Sequence, residues 1–475
     1  MGGRYKFSVD ISVKNRCVTG SCIMITAHRI EGDIKFLVDC GIYQGEDGYE
    51  EKNYAKFDFK PENLEFALIT HVHADHSGRL PLLYKRGFYQ KAYCTEDTAS
   101  LLKYALPDDA KVIGINARKN DIKPLYEDKD AEVALKNIVP KPFGETFEPV
   151  NDVKVTMFKN AHLIGAATIL VQIQSYNNED INLLFLGDYN RQNMFFEVEE
   201  LPEWVRELPL HVICESTYGH VDSADVRKPV FVDNISKWIN EGKKTLVIPT
   251  LSLGRYQEIA YVLKKMQDDC LLSTSIPIWF DGNLAIKYTN AYRYLLNISP
   301  DKKDFLPFNS DFVTDRAEVL GYKGSQIIVT TSGGANFGPA PDYVNAFIEK
   351  RDAAFHFTSY LWEDSLGKNM LDTEKGEFVK VGSVLKKKIA DAATTSEYSG
   401  HATRDLLLEF LKTLKNIRSI EVTHGEPEVR QKFGEYCKEQ LDMKDTDVAI
   451  TGTGYTIRVN TYGIIKTVCE KPLII

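Results

Sequence analysis

Apolar and polar residues alternate at the start of the chain, with Phe7, Val9, Ile11 and Val13 on one parity. Short apolar runs follow at Cys22-Ile-Met-Ile-Thr26 and Phe36-Leu-Val-Asp39, separated by polar turns. This period of two predicts hairpin strands over residues 6–40. The run Phe66-Ala-Leu-Ile-Thr70 predicts one more short buried strand. Residues 77–147 read as mostly helical and charged, with helical spacing over 98–104 and 130–138 and breakers at Pro140 and Pro142. Two later apolar runs each end in an acid: Leu183-Leu-Phe-Leu-Gly187-Asp188 and Leu210-His-Val-Ile-Cys-Glu215.

From about 245 the pattern becomes strand, loop, helix. Thr245-Leu-Val-Ile-Pro249, Pro277-Ile-Trp-Phe-Asp281, Gln326-Ile-Ile-Val-Thr330 and Ala353-Ala-Phe-His-Phe-Thr358 are each followed by loops rich in Gly, Ser or Thr. Such units predict a mostly parallel, doubly wound sheet. After about 395 the earlier style returns. Thr403 is a candidate N-cap for a helix carrying Leu406, Leu407, Phe410, Leu411 and Leu414. A strand then ends at His424-Gly425, and 457–460 and 464–468 read as closing strands.

The 475 residues exceed one ordinary core. The pattern changes place an inserted domain at 206–395, between flanking segments 1–205 and 396–475 that form the other domain. No apolar run reaches the roughly 18 residues of a membrane span, and the start lacks the apolar core of a signal peptide. The eight cysteines contain no C-x-x-C pair. Buried free thiols in a reducing compartment are expected, hence a cytoplasmic location. The net charge of −9 argues against a generic polyanion binder, but local basic patches decide nucleic-acid contact.

The chemistry centres on Thr70-His71-Val-His73-Ala-Asp75-His76-Ser-Gly78, which puts four potential metal ligands on the loop leaving a strand's carboxyl end. Imidazole and carboxylate together suit Zn²⁺ best, with Mn²⁺ and Fe as alternatives. Three histidines and an aspartate at this density have no packing purpose.

This stretch resembles the signature of the metallo-β-lactamase superfamily. Its flanks, Ser77-Gly-Arg-Leu-Pro-Leu-Leu and Lys85-Arg-Gly-Phe, resemble the β-CASP branch of RNA-processing nucleases. That branch includes the cleavage and polyadenylation specificity nuclease and ribonuclease J. Further resemblances follow in colinear order from about 20 to 430. They are Asp39-Cys-Gly-Ile-Tyr-Gln-Gly45, Asn160-Ala-His162-Leu-Ile-Gly165, Gly187-Asp188, Glu215-Ser-Thr-Tyr-Gly219, Gly400-His401-Ala402 and His424-Gly425. Two departures stand out: Asp281-Gly282-Asn283 where the family has Asp-Ser-Pro, and Ser332-Gly333-Gly334 where it has Ser-Gly-Met.

The resemblance implies an αββα metallo-β-lactamase sandwich with an inserted β-CASP domain. It also implies two zinc ions, exchangeable for manganese. His71, His73 and His162 would hold one ion, Asp75, His76 and His424 the other, and Asp188 would bridge them. Asp39 would orient a ligating histidine through its second ring nitrogen. His401, steered by Glu215, would protonate the leaving 3′-oxygen. Ser252, Arg255, Ser332 and Gly333 are candidate substrate contacts, with Lys386, Lys387 and Lys388 as candidate RNA contacts. His28, His211, His220 and His356 read as structural or surface residues.

The expected function is a two-zinc ribonuclease acting on single-stranded RNA. His424 favours RNA, because the family's DNA-directed members typically lack that histidine. Endonuclease is favoured over 5′-exonuclease, since no extension follows the last strands. No membrane partner is expected, and a homodimer is allowed. The alternatives are a small-molecule metallo-hydrolase on the same metal core and a non-catalytic scaffold subunit of an RNA-processing complex.

Overall fold

In the strand Ala167–Ile173, residues Ile169, Val171 and Ile173 enter one core, while Leu170 enters another on the opposite face. The strand Ile181–Phe185 repeats this, with Leu183 and Phe185 on the first side and Leu184 on the second. Strands apolar on both faces belong in a sheet covered on both sides. The computed structural model describes residues 7–14, 19–45, 49–175, 179–226, 230–296, 300–450 and 455–469. By contacts the chain forms two units, one of residues 1–193, 197–223 and 401–475, the other of 194–196 and 224–400.

The first unit holds two facing sheets. One has eight strands in the order Gly463–Cys469, Tyr455–Asn460, Ser8–Val13, Ile23–His28, Ile34–Val38, Phe66–Leu68, Ala92–Thr95 and Ile138–Lys141. The other has seven, in the order Val448–Ile450, Ile417–Val422, Leu210–Cys214, Ile181–Phe185, Ala167–Ile173, Val153–Lys159 and Thr146–Val150. Val9, Ile11, Ile25, Phe36 and Leu68 of the first meet Val155, Ile169, Leu183 and Ile213 of the second in one core. The outer face of the seven-stranded sheet carries Leu407, Phe410, Leu411 and Phe433 from the helices Arg404–Thr413 and Pro427–Gln440. The helices Glu96–Lys119 and Asp128–Asn137 accompany the eight-stranded sheet. This is the expected αββα layering.

The second unit has a five-stranded sheet, ordered Ile278–Asp281, Gln326–Thr330, Thr245–Pro249, Ala353–Phe357 and Asp391–Thr394, with every pairing parallel. Phe231, Ile235, Tyr256, Ile259 and Leu263 cover one face. Tyr343, Val344, Phe347, Leu366 and Met370 cover the other. The sheet is doubly wound, as its continuous apolar runs require.

Several expectations need correction. The strand Leu210–Cys214 pairs in parallel with Ile181–Phe185 and Ile417–Val422 and so lies in the first unit. The change of unit therefore falls at 223/224 rather than near 205. The stretch 77–147 is not only helical, for Ala92–Thr95 and Ile138–Lys141 extend the first sheet. Pro140 does not break structure there. It sits in the edge strand, where its missing N–H costs no ladder bond. Thr403 occupies the N-cap position, but its hydroxyl bonds to Asp405 and Ser223 instead of capping. Cys17 lies outside the described residues. Cys22, Cys40, Cys94, Cys214 and Cys437 are buried free thiols, while Cys270 is free and exposed. Among the described residues no helix is long and apolar enough to cross a membrane.

The first sheet is closed by strands from opposite ends of the chain. Ser8–Val13 pairs antiparallel with Tyr455–Asn460, and Asp10 stands opposite Arg458. Arg458 Nε and Nη2 donate to the two Asp10 oxygens at 2.6 and 2.7 Å, and His28 Nε2 lies 2.9 Å from Asp10. Burial pushes the Asp10 carboxyl up, but Arg458 and His28 outweigh it and hold the pKa below its ordinary value. A depressed carboxylate contributes stability above its unfolded pKa and loses it as pH falls through the folded value. Arg458→Gln is expected to cost about 1–2 kcal/mol in the first thermal transition at pH 7. The difference from wild type should shrink toward pH 3, which thermal melts across pH would show.

Candidate metal centre

The site is assembled at strand ends. Strand Phe66–Leu68 leads into Thr70–His73, and the single turn Ala74–Ser77 carries Asp75 and His76. His162 follows strand Val153–Lys159, Asp188 follows Ile181–Phe185, Glu215 follows Leu210–Cys214, and His424 follows Ile417–Val422. His401 precedes helix Arg404–Thr413. Two glycines permit the approach. A Cβ on Gly41 would lie 1.5 Å from the Asp75 carbonyl oxygen, and one on Gly187 (φ 62°) would lie 3.0 Å from Thr70 Cβ.

Three ring nitrogens converge. His73 Nδ1 is 3.1 Å from His71 Nε2 and 3.1 Å from His162 Nε2. Both Nε2 atoms are 3.7 Å from Asp188 Oδ2. On the other side of the same carboxylate, Asp188 Oδ1 is 3.1 Å from His76 Nε2 and 3.2 Å from His424 Nε2. Asp75 Oδ2 lies 3.9 Å from His76 Nε2. Asp188 is 3 % exposed and faces a histidine set with each oxygen.

Its neighbours fix the ligating atoms. Asp39, at φ 62°, is 2.7 Å from His76 Nδ1 through Oδ2 and accepts the Thr70 amide at 2.8 Å through Oδ1. The Nδ1 proton of His76 thus points at Asp39, which leaves Nε2 as the ring atom facing Asp188. Asn160 donates to the Leu186 and Asp188 carbonyls and accepts the His162 amide, so one side chain positions two candidate ligands.

The charge balance asks for cations. Burial, and next the neighbouring His76 or His162, hold His71 and His73 well below the ordinary imidazole pKa, in the neutral ligating form. Burial opposes ionisation of Asp188, but His424, His76 and His401 outweigh it and depress its pKa strongly. Burial also opposes protonation of His76, yet Asp188, Asp39 and Asp75 overcome it, so this position draws positive charge. His76 Nε2 and Asp188 Oδ1 are buried and form no well-aligned hydrogen bond although they lie 3.1 Å apart; a cation between them would satisfy both. In two groups, His71/His73/His162/Asp188 and Asp75/His76/Asp188/His424, all candidate ligand atoms lie within 4.8 Å of one another. The residues therefore fit divalent metal. Imidazole nitrogens roughly 2 Å from a tetrahedral ion stand a little over 3 Å apart.

Beside this lies Glu215, 2 % exposed. It accepts the Tyr189 amide at 2.7 Å and the Thr217 hydroxyl at 2.7 Å, and its Oε2 is 2.9 Å from His401 Nδ1. His401 Nε2 is 3.8 Å from Asp188 Oδ2. Burial lowers the His401 pKa, but Glu215 and Asp188 more than compensate and raise it to about 9. The Tyr218 ring sits 6.2 Å from His401, whereas His220 points to solvent.

The candidate substrate residues all lie in the second unit. Gly333 packs on Leu251 and Ser359, and Ser332 Oγ accepts the Phe337 amide. Ser252 stands just before helix Arg255–Asp268. Arg255 is engaged internally, with Glu258 at 2.9 Å and with the Thr358 carbonyl. Sequence reasoning missed Asn160, Thr70 and Thr217. Each is a polar residue adjoining a motif, and only its hydrogen bonds give it a task.

The profile described as "Metallo-beta-lactamase superfamily" matches residues 15–156, and "Beta-Casp domain" matches 256–370. The chain is a β-CASP member of the metallo-β-lactamase superfamily. A third profile, "Zn-dependent metallo-hydrolase RNA specificity domain", matches 388–449 of this β-CASP protein. Its relatives include "Ribonuclease TTHA0252" of Thermus thermophilus, 28 % identical across 94 % of this chain and 98 % of that one. Another is "Transcription termination factor FttA" of Methanocaldococcus jannaschii, 27 % identical across 89 % of this chain and 68 % of that one. A solved structure of a protein of unknown function from Enterococcus faecalis shares the fold, with TM-score 0.54 and 10 % identity over 95 % of this chain and 100 % of that chain.

Metal removal tests the centre. Dialysis against chelator should lower the melting temperature, and saturating metal at ~1,000 times its Kd should restore about 4 kcal/mol. Asp188→Ala, which touches both histidine sets, should reduce divalent metal content by more than half in elemental analysis. His220→Ala should leave it unchanged.

Proposed function

We propose that this β-CASP protein is a ribonuclease that hydrolyses phosphodiester bonds of single-stranded RNA with two zinc ions, cutting internally in preference to the 5′ end. His71, His73 and His162 would hold one ion and Asp75, His76 and His424 the other, with Asp188 shared. When bound, such a pair lowers the pKa of water and neutralises charge developing at phosphorus. The chain's own residues supply the rest. Asp39 and Asn160 keep the histidine and aspartate groups in register.

The observation that carries the reading is the Glu215–His401 pair beside Asp188. A departing 3′-alkoxide needs a proton at neutral pH. Glu215 accepts from His401 Nδ1, which fixes the tautomer and leaves Nε2 as the proton-donating atom, on the side of the metal-binding carboxylate. The match to an RNA specificity domain over 388–449, which contains His401 and His424, supports RNA as substrate. The ribonuclease named among its relatives supports it too.

His401→Ala should retain both ions and bind RNA, yet lose roughly 10²–10⁴-fold in turnover. Glu215→Gln should show a smaller loss of the same kind. Elemental analysis with single-turnover kinetics checks both, and loss of an ion from His401→Ala would assign that histidine to the metals instead. Incubation of the metal-loaded protein with end-labelled linear RNA, its circular form and DNA of the same sequence tests the substrate. Linear and circular RNA should be cut and DNA much less. An intact circle would reverse the internal-cutting assignment, and equal cutting of DNA would overturn the choice of RNA.

A further inference from the structure

Residues 375–388 contain five lysines against one glutamate, in a chain whose formal net charge is −9. They fold into an antiparallel ribbon, Phe378–Val381 against Val384–Lys387. The register pairs Phe378 with Lys387, Val379 with Lys386, Lys380 with Leu385, and Val381 with Val384. Side chains alternate along a strand, so Phe378, Lys380, Leu385 and Lys387 share one face. Val379 and Val381 point the other way, 2 % and 6 % exposed, into the core that holds Tyr343, Phe347 and Phe355. One face fastens the ribbon and the other is presented.

The lysines divide accordingly. Lys386 Nζ is 3.1 Å from Glu349, Lys375 pairs with Asp391, and buried Lys388 donates to the Thr373 carbonyl. These three hold the ribbon in place. Lys380 and Lys387 are exposed on the outer face, and among the described residues neither has an ion-pair partner. Crossing them on the same face, Phe378 is 63 % exposed and Leu385 66 % exposed. Diagonal positions on such a ribbon stand about 7–8 Å apart. A single exposed apolar side chain is ordinary. Two of them interleaved with two unpaired ammonium groups match a ligand whose anions and flat apolar faces alternate along one strand. Single-stranded nucleic acid is built that way, whereas an acidic peptide has no regular stacking face for Phe378.

We infer that the outer face of this ribbon is an accessory binding surface for single-stranded RNA. Lys380 and Lys387 pair with phosphates, Phe378 stacks on a base, and Leu385 covers the adjoining apolar edge. The inference rests on the ribonuclease reading above.

Steady-state kinetics of the metal-loaded full chain test it on single-stranded RNAs of about ten and about forty nucleotides, the shorter near one binding-site length. For Lys380→Glu/Lys387→Glu, KM for the long RNA should rise about tenfold with kcat unchanged. The salt slope of log(kcat/KM) should flatten by about 1.4, at ~0.7 per phosphate on a single strand. Phe378→Ala should raise the same KM about fivefold or more through lost stacking. Neither variant should change kcat on either RNA or the metal content of the protein. Unchanged KM for the long RNA in both variants overturns the proposal and leaves an acidic protein as the occupant of this face. A fall in kcat on both RNAs, or lost metal, also overturns it, as general damage. Failure of the wild-type protein to cut either RNA refutes the ribonuclease reading itself, and the same assay reveals it.

Discussion

A buried carboxylate among imidazoles must have its lost hydration offset by nearby positive charge and hydrogen bonds. Asp188 is in that position, with one oxygen toward His71 and His162 and the other toward His76 and His424. Four strand ends and the Thr70–Ser77 turn are pinned to this point by Asp39, Asn160 and Glu215, each of which ties two segments together. Imidazole and carboxylate groups are crowded here at 2.7–3.8 Å in a buried setting, where each polar group needs a partner. A divalent cation held by these residues would satisfy them.

The backbone is strained to make this possible. Asp39 and His424 are non-glycine residues at φ 62° and 41°, conformations that cost on the order of 1–3 kcal/mol each. Asp39 lies one residue and His424 two residues after strands in the interior of their sheets, where ladder hydrogen bonds hold the chain on either side. Strain of this kind fixes where the imidazole and carboxylate point before a ligand arrives, which is the preorganisation that charge stabilisation requires.

The second unit meets its need differently. Its parallel sheet is buried on both faces, so only loops, helix surfaces and the Phe378–Lys387 ribbon are left for recognition. The ribbon's two-residue period puts Lys386 on the anchored face and Lys380 and Lys387 on the free one. A net charge of −9 hides this, because binding responds to local potential rather than to the sum.

How much of this was legible depends on the range of the interaction. Local rules sufficed for strands such as Ser8–Val13 and Thr245–Pro249, where burial imposes a period of two or an unbroken apolar run, but not for the short Ala92–Thr95 and Ile138–Lys141. They sufficed for the His-x-His-x-Asp-His cluster too, because its ligands lie within one turn of chain. The doubly wound sheet showed in the alternation of runs and glycine-rich loops. Resemblance supplied His162, Asp188, Glu215, His401 and His424 as candidates, since nothing local distinguishes a functional strand-end acid from an ordinary one. Folding decided the rest. It put Glu215 in the first unit, because its strand pairs with Ile181–Phe185 and Ile417–Val422. It set His401 2.9 Å from Glu215 across 186 positions of sequence. It committed Arg255, Lys386 and Lys388 to internal partners that no composition reveals. Sequence alone determined which residues could do chemistry and which segments would be buried, since those follow from side-chain type and period. Which of them meet was decided only by the tertiary structure, because strand order and register bring distant positions within hydrogen-bonding distance and no local pattern encodes that pairing.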